Sequence, residues 1–239
     1  MNIKELWKDM IKAVIFDLDG TLFDEKDFVK SGFRAVSVYL ASKYRINEGI
    51  IYDYLMREFE LGLRRKNFDA LVKNFSLTEE TVSDLVKVYR MHRPNVRLYS
   101  DAEALLSHLR DEQYRLGLIT DGNAITQRKK IQALGLANSF DEIIITEELG
   151  EGCQKPSDVA YKLMIRKLNV RPEECVYVGD NPVKDFIPAK KLGINTIRVR
   201  RGNGFHDLID VPKKLDADYQ VTDLLALPAL ISQINKRKK

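Results

Sequence analysis

A chain of 239 residues with 44% hydrophobic content is long enough for one large domain, or for a core domain carrying an insert. No apolar run nears the ~18 residues of a membrane helix, and the charged opening MNIKELWKDM lacks a signal peptide's apolar stretch, so we expect a soluble cytoplasmic protein with no membrane partner. The net charge of +4 invites a nucleic-acid reading, but Lys236, Arg237, Lys238 and Lys239 carry all of it, and without them basic and acidic residues balance at 35 each, which weakens that reading.

Residues 1–10 read as a short helix or loose arm, with Trp7 free to pack on the core or a partner. IKAVIFD then reads as a buried strand, β-branched, apolar and short. From about residue 25 to 96 the pattern is helical. Phe33, Val36, Leu40 and Tyr44 share one face, as do Phe68, Leu71, Val72 and Phe75. Val82, Leu85, Val86 and Tyr89 form a further stripe, for which Thr78 reads as the cap with Glu79 and Glu80 in the first turn. After Pro94 the texture alternates. Ser100 and Glu103 form a capping-box pattern ahead of Ala102, Leu105, Leu106 and Leu109. Strands are predicted at YRLGLIT, DEIIIT, ECVYVGD, INTIRVR and DYQVT, with helices at AITQRKKIQALGL, SDVAYKLMIRKL, PVKDFIPAKKLG and DLLALPALISQI. Strands alternating with helices imply right-handed crossovers and a parallel sheet covered on both faces. We expect an α/β, Rossmann-like three-layer core over 1–23 and 97–239, with an all-helical block inserted over 24–96. Cys153 and Cys175 are 22 residues apart without a CxxC pattern and read as free thiols.

In an open parallel sheet, chemistry collects at the carboxyl ends of the strands. Three predicted strands end on polar groups: AVIFD on Asp17 with Asp19 beyond it, RLGLIT on Thr120, and CVYVGD on Asp180 with Asp185 after it. Lys155 opens the helix before the last of these. Such a set suits phosphoryl transfer. One carboxylate can attack phosphorus and another can move a proton to the leaving oxygen. Crowded carboxylates need a cation, and hard oxygens suit Mg²⁺. A lysine, a hydroxyl and loop amides can take up charge on the phosphoryl oxygens.

The pattern resembles the haloacid-dehalogenase-like hydrolase superfamily, in its phosphatase branch. Asp17-Leu18-Asp19-Gly20-Thr21 is similar to the family's first motif, LGLIT with Thr120 to its second, Lys155-Pro156 to its third and VYVGDNPVKD to its fourth, over roughly residues 11–201. The helical block falls where that family carries a helical cap of the first type. The resemblance implies that Asp17 is nucleophile and metal ligand, and that Asp19 is general acid/base with its main-chain carbonyl on the metal. It further implies that Thr120 binds a phosphoryl oxygen, that Lys155 holds the aspartyl-phosphate and that Asp180 completes a Mg²⁺ site. Asp185 would sit beside that site or face solvent. Dehalogenases lack an aspartate at the position of Asp19, which favours phosphate over halide. Many relatives carry asparagine where this chain has Asp121; we expect its side chain to point away and its amide to donate to phosphate. Arg57, Arg64, Arg65 and Lys66 cluster in the helical block, and the first three are candidates for substrate specificity; a solvated helix end is the alternative. The implied function is a Mg²⁺-dependent phosphomonoesterase acting on a small soluble phosphate ester. The rivals are a phosphomutase using the same aspartyl-phosphate and a non-enzymatic binding protein. Oligomeric state stays open.

Overall fold

The computed structural model describes residues 10–62 and 66–237. Trp7 and the arm before Met10, Arg64 and Arg65, and Lys238 and Lys239 of the basic tail lie outside the described residues. In chain order the elements are β1 (Ala13–Phe16), α1 (Glu25–Tyr44), α2 (Glu48–Glu60), α3 (Asn67–Asn74), α4 (Val82–Met91), α5 (Ser100–Asp111), β2 (Arg115–Thr120), α6 (Ala124–Ala133), β3 (Glu142–Ile145), α7 (Val159–Lys167), β4 (Cys175–Gly179), α8 (Phe186–Leu192), β5 (Asn195–Val199), β6 (Tyr219–Val221) and α9 (Leu227–Arg237). No helix among the described residues is long and apolar enough to cross a membrane.

The six strands form one sheet in the order β3-β2-β1-β4-β5-β6, and every pairing is parallel. The expected α/β three-layer core is therefore present. Its central strands are apolar on both faces, as a sheet covered twice requires. Alternation decides which layer each residue joins. Val14 and Phe16 of β1 pack with Leu105 and Leu109 of α5 and Ile231 of α9. Ala13 and Ile15 face the other way, onto Tyr161 and Met164 of α7 and Phe186 of α8. Each fully buried large side chain contributes roughly 1.5–3 kcal/mol by leaving water.

Helices α1 to α4 follow β1 and build their own apolar cluster. Phe33, Val36 and Leu40 of α1 meet Ile51 and Leu55 of α2, Leu71 of α3 and Leu85 of α4. Caps set the starts of three of them. Asp24 accepts from the amide of Lys26, and Asn47 from that of Gly49. Helix α4 starts later than expected: its cap is Thr81, in a capping box with Asp84, instead of Thr78. Glu80 is drawn out of a first-turn role because it is buried and pairs with Lys43 at 2.6 Å. The two passages between this block and the sheet run side by side, with the amide of Tyr99 donating to the carbonyl of Leu22 at 2.9 Å. The capping box expected at Ser100 is also absent. Ser100 lies inside α5, Tyr99 occupies the cap without a side-chain bond, and Asp101 instead accepts from the amide of Leu224 at 2.8 Å.

The connection from β5 to β6 is long and strapped down. The fully buried Arg198 donates to the carbonyls of His206 (2.6 Å) and Ile209 (3.0 Å) and pairs with Asp216 at 3.3 Å. Arg201 reaches the carbonyl of Thr21 at 2.6 Å and lies over the ring of Tyr99 at 4.0 Å. These bonds hold Phe205 and His206 over the carboxyl end of β4.

Candidate active site

The site sits where the chain changes direction in the sheet. From β1 it runs outward through β2 and β3, then crosses back to β4 on the other side, leaving a crevice at the strand ends. Asp17 still belongs to the ladder, its amide donating to the carbonyl of Val178 at 2.8 Å. The chain then turns sharply. Gly20 adopts a left-handed φ of 74°, and its amide donates to the carbonyl of Phe23 at 3.1 Å. A Cβ at Gly20 would lie 2.3 Å from Oδ2 of Asp180, so only glycine lets these two strand ends approach.

Four side chains meet under this turn. Lys155 Nζ lies 2.5 Å from Asp17 Oδ1, 2.8 Å from Asp185 Oδ1 and 3.0 Å from the Tyr177 hydroxyl. Asp17, Asp180 and Asp185 each offer an oxygen within 4.8 Å of the others, and all three are buried. Burial, opposed by Lys155 and reinforced by Asp185, Asp180 and Asp19, pushes the Asp17 carboxyl well above its usual range. Burial alone would pull Lys155 down, but Asp17 and Asp185 outweigh it and hold the ammonium charged. Burial raises Asp180, with His206 working against it. His206 Nδ1 is 2.9 Å from Asp180 Oδ2; burial would lower the imidazole, and this contact raises it instead. Three carboxylates against one ammonium leave a buried negative excess made of hard oxygens. That donor set fits a divalent cation of the magnesium type.

Asp19 faces the same cavity but not the same cluster. Its carboxylate pairs with Lys130 at 2.5 Å and accepts from the Gln127 amide at 2.7 Å. Gln127 also reaches the Thr120 hydroxyl at 2.5 Å. Thr120 is fully buried behind this bond and does not line the cavity. Asp121 lies at the cavity, and its carboxylate is bonded within the protein: Oδ1 accepts from Thr146 at 2.6 Å and from the Lys155 amide at 3.1 Å. Satisfying that amide fixes the loop that delivers Lys155. Asp185 does not face solvent; it is 1% exposed and also accepts from the Asn181 amide at 2.9 Å. Arg57 is exposed over the ring of Tyr54, at 5.4 Å, and the structure does not bring it to the cavity.

Several neighbours were not foreseen. Gln127 and Lys130 lie three residues apart on α6, a spacing that places them on one face but does not say what they meet. Glu25 lines the cavity, and burial with repulsion from Asp19 raises its carboxyl to about 7. His206 and Phe205 come from the strapped loop, with no local motif to mark them.

Residues 14–199 match the family described as haloacid dehalogenase-like hydrolases. The chain is 32% identical to a glyceraldehyde 3-phosphate phosphatase of Methanocaldococcus jannaschii, covering 95% of this chain and 100% of the relative. It is 30% identical to the human N-acylneuraminate-9-phosphatase, over 94% and 95% of the two chains. A solved haloacid-dehalogenase-family phosphatase from Thermococcus onnurineus superposes with a TM-score of 0.62 at 29% identity, covering 92% of this chain and 98% of that one. Motifs, strand order and relatives agree over nearly the whole length, and the chain belongs to the haloacid dehalogenase-like hydrolases.

Proposed function

We propose that this protein is a Mg²⁺-dependent phosphomonoesterase that passes a phosphoryl group through Asp17. The observation that carries the reading is the buried set of Asp17, Lys155, Asp180 and Asp185 on the floor of a cavity, with Asp19 in its wall. In this reading an Asp17 oxygen attacks phosphorus and the P–O bond to the alcohol breaks. Asp19 gives that oxygen its proton, then removes a proton from the water that hydrolyses the aspartyl-phosphate. The sum is ester plus water to alcohol plus phosphate. Gln127 and Lys130 hold the Asp19 carboxylate in place for both transfers. Lys155 balances charge on the transferring group, with the amide of Asp121 as a further phosphoryl contact, while Thr120 anchors Gln127 from behind the cavity wall. Mg²⁺ held by Asp17, the Asp19 carbonyl and Asp180, with Asp185 beside them, would draw off phosphoryl charge.

Residues 24–96 are read as a helical cap on a core of 1–23 and 97–239. The paired strands of chain at Leu22 and Tyr99 would serve as its hinge, and closure would exclude water during the first transfer. The substrate class is a small soluble phosphorylated molecule. The free thiols of Cys153 and Cys175 suit a cytoplasmic setting.

The test is phosphate release from p-nitrophenyl phosphate and a metabolite panel, by wild type and Asp17→Asn, with Mg²⁺ and with EDTA. We expect release that needs Mg²⁺ and disappears in the variant. Phosphate migrating within a hexose phosphate without release would point to a mutase instead.

A further inference from the structure

The cavity above the carboxylates is about 620 Å³. That falls in the range of ~300–1,000 Å³ that encloses a drug-sized ligand. Its floor is charged, and a large part of its wall is aromatic. Phe33, Phe59, Phe68 and Tyr89 line it from the helical block, and Phe205 lines it from the β5–β6 loop. Val29, Val82 and Val86 fill the gaps between them.

These rings are fixed before any ligand arrives. Phe33 meets Phe59 edge to face at 6.0 Å and Phe68 at 6.2 Å, Phe68 meets Tyr89 at 5.8 Å, and Phe59 meets Phe205 at 5.6 Å. A preorganised aromatic wall favours a planar apolar partner, which stacks on it without ordering costs. A polyol is disfavoured there, because each hydroxyl turned to a ring loses a hydrogen bond to water and gains none. The polar groups that the helical block adds to the wall are Glu25, Asn67, Asp69 and Arg90. Glu25 sits low, near Asp19, while Asp69 and Arg90 are of opposite sign, so the upper wall calls for no net charge on the ligand.

We propose, building on the phosphatase reading above, that the alcohol part of the substrate is an aromatic or heteroaromatic ring system instead of a three-carbon or sugar chain. The phosphoryl group sits on the carboxylate floor and the ring stacks between Phe68 and Phe205. This differs from the triose phosphate named for the archaeal relatives.

Two esters of similar leaving-group acidity separate the readings: benzyl phosphate and n-propyl phosphate. We expect wild type to favour the benzyl ester at least tenfold in kcat/KM. Phe68→Ala should reduce that ratio at least fivefold, and Phe205→Ala supplies a second variant from the other wall. Calorimetric binding of benzylphosphonate against propylphosphonate reads the same preference without turnover. Turnover of both esters at similar kcat/KM, or equal phosphonate affinities, overturns the proposal. Absence of turnover with benzylphosphonate still preferred supports the aromatic site and sinks the phosphatase reading alone.

Discussion

Replacing Lys155 with methionine removes the one ammonium within bonding reach of Asp17 and Asp185 among the described residues. The lysine side chain is 3% exposed, and its partners are at 2.5 and 2.8 Å. Water cannot take its place without opening the site. Breaking a buried ion pair from one side costs about 3–5 kcal/mol, a large part of the ~5–15 kcal/mol that holds a domain folded. The cost depends on pH, with a sign that follows from the groups left behind. The Lys155 pKa is raised, so in wild type its contribution is complete below the unfolded lysine value of about 10.4 and is lost only as pH rises through the higher folded value. It is therefore constant from pH 5 to 8. Asp17 already lies well above its usual range, and losing Lys155 raises it further. A raised carboxyl stabilises the fold only below its unfolded value and is a growing penalty as pH climbs towards the folded one. We expect Lys155→Met to lose about 3–5 kcal/mol at pH 8 and at least ~1 kcal/mol less at pH 5. Urea unfolding in EDTA, followed by far-ultraviolet circular dichroism, reads both values. Adding Asp185→Asn should recover part of the loss. A deficit below ~1 kcal/mol, or one equal at both pH values, would refute the charge-balance argument.

Glu25→Gln removes a carboxyl whose folded value is about 7 against an ordinary 4.5, so the variant should gain stability progressively between those two values and keep the gain above pH 7; paired urea unfolding at pH 4 and pH 8 in EDTA checks it. His206→Ala takes away the donor that orients Asp180, and the Mg²⁺ needed for half-maximal phosphate release should rise about tenfold. An unchanged Mg²⁺ requirement would mean that Asp180 is held by other contacts. Gly20→Ala adds a Cβ 2.3 Å from Asp180 Oδ2 at a left-handed φ of 74°. Backbone strain there costs about 1–2 kcal/mol, and displacement of Asp180 should lower kcat/KM at least ~100-fold.

Much of this was legible before any coordinates. Short β-branched apolar runs marked the six strands, and polar residues at their ends marked Asp17, Thr120 and Asp180, because strand ends and chemistry coincide in parallel sheets. Helix starts were less legible. Thr78 and Thr81 are both competent caps, and the choice was made by Glu80 pairing with Lys43 from a different helix. The direction of Asp121 is illegible for a similar reason: it depends on the Lys155 amide, 34 residues away. His206 and Phe205 reach the site only because Arg198, on β5, binds the backbone of their loop. Local pattern fixes which residues can meet water or core; it carries no record of which distant groups will need a partner.

The central claim is that Asp17 carries the phosphoryl group. Rapid acid quench of turnover with a ³²P-labelled ester, followed by peptide mapping, tests it most directly. We expect alkali-labile label on the peptide containing Asp17, absent from Asp17→Asn and chased to inorganic phosphate by unlabelled ester. Turnover without labelled protein, or label on another residue, would contradict it.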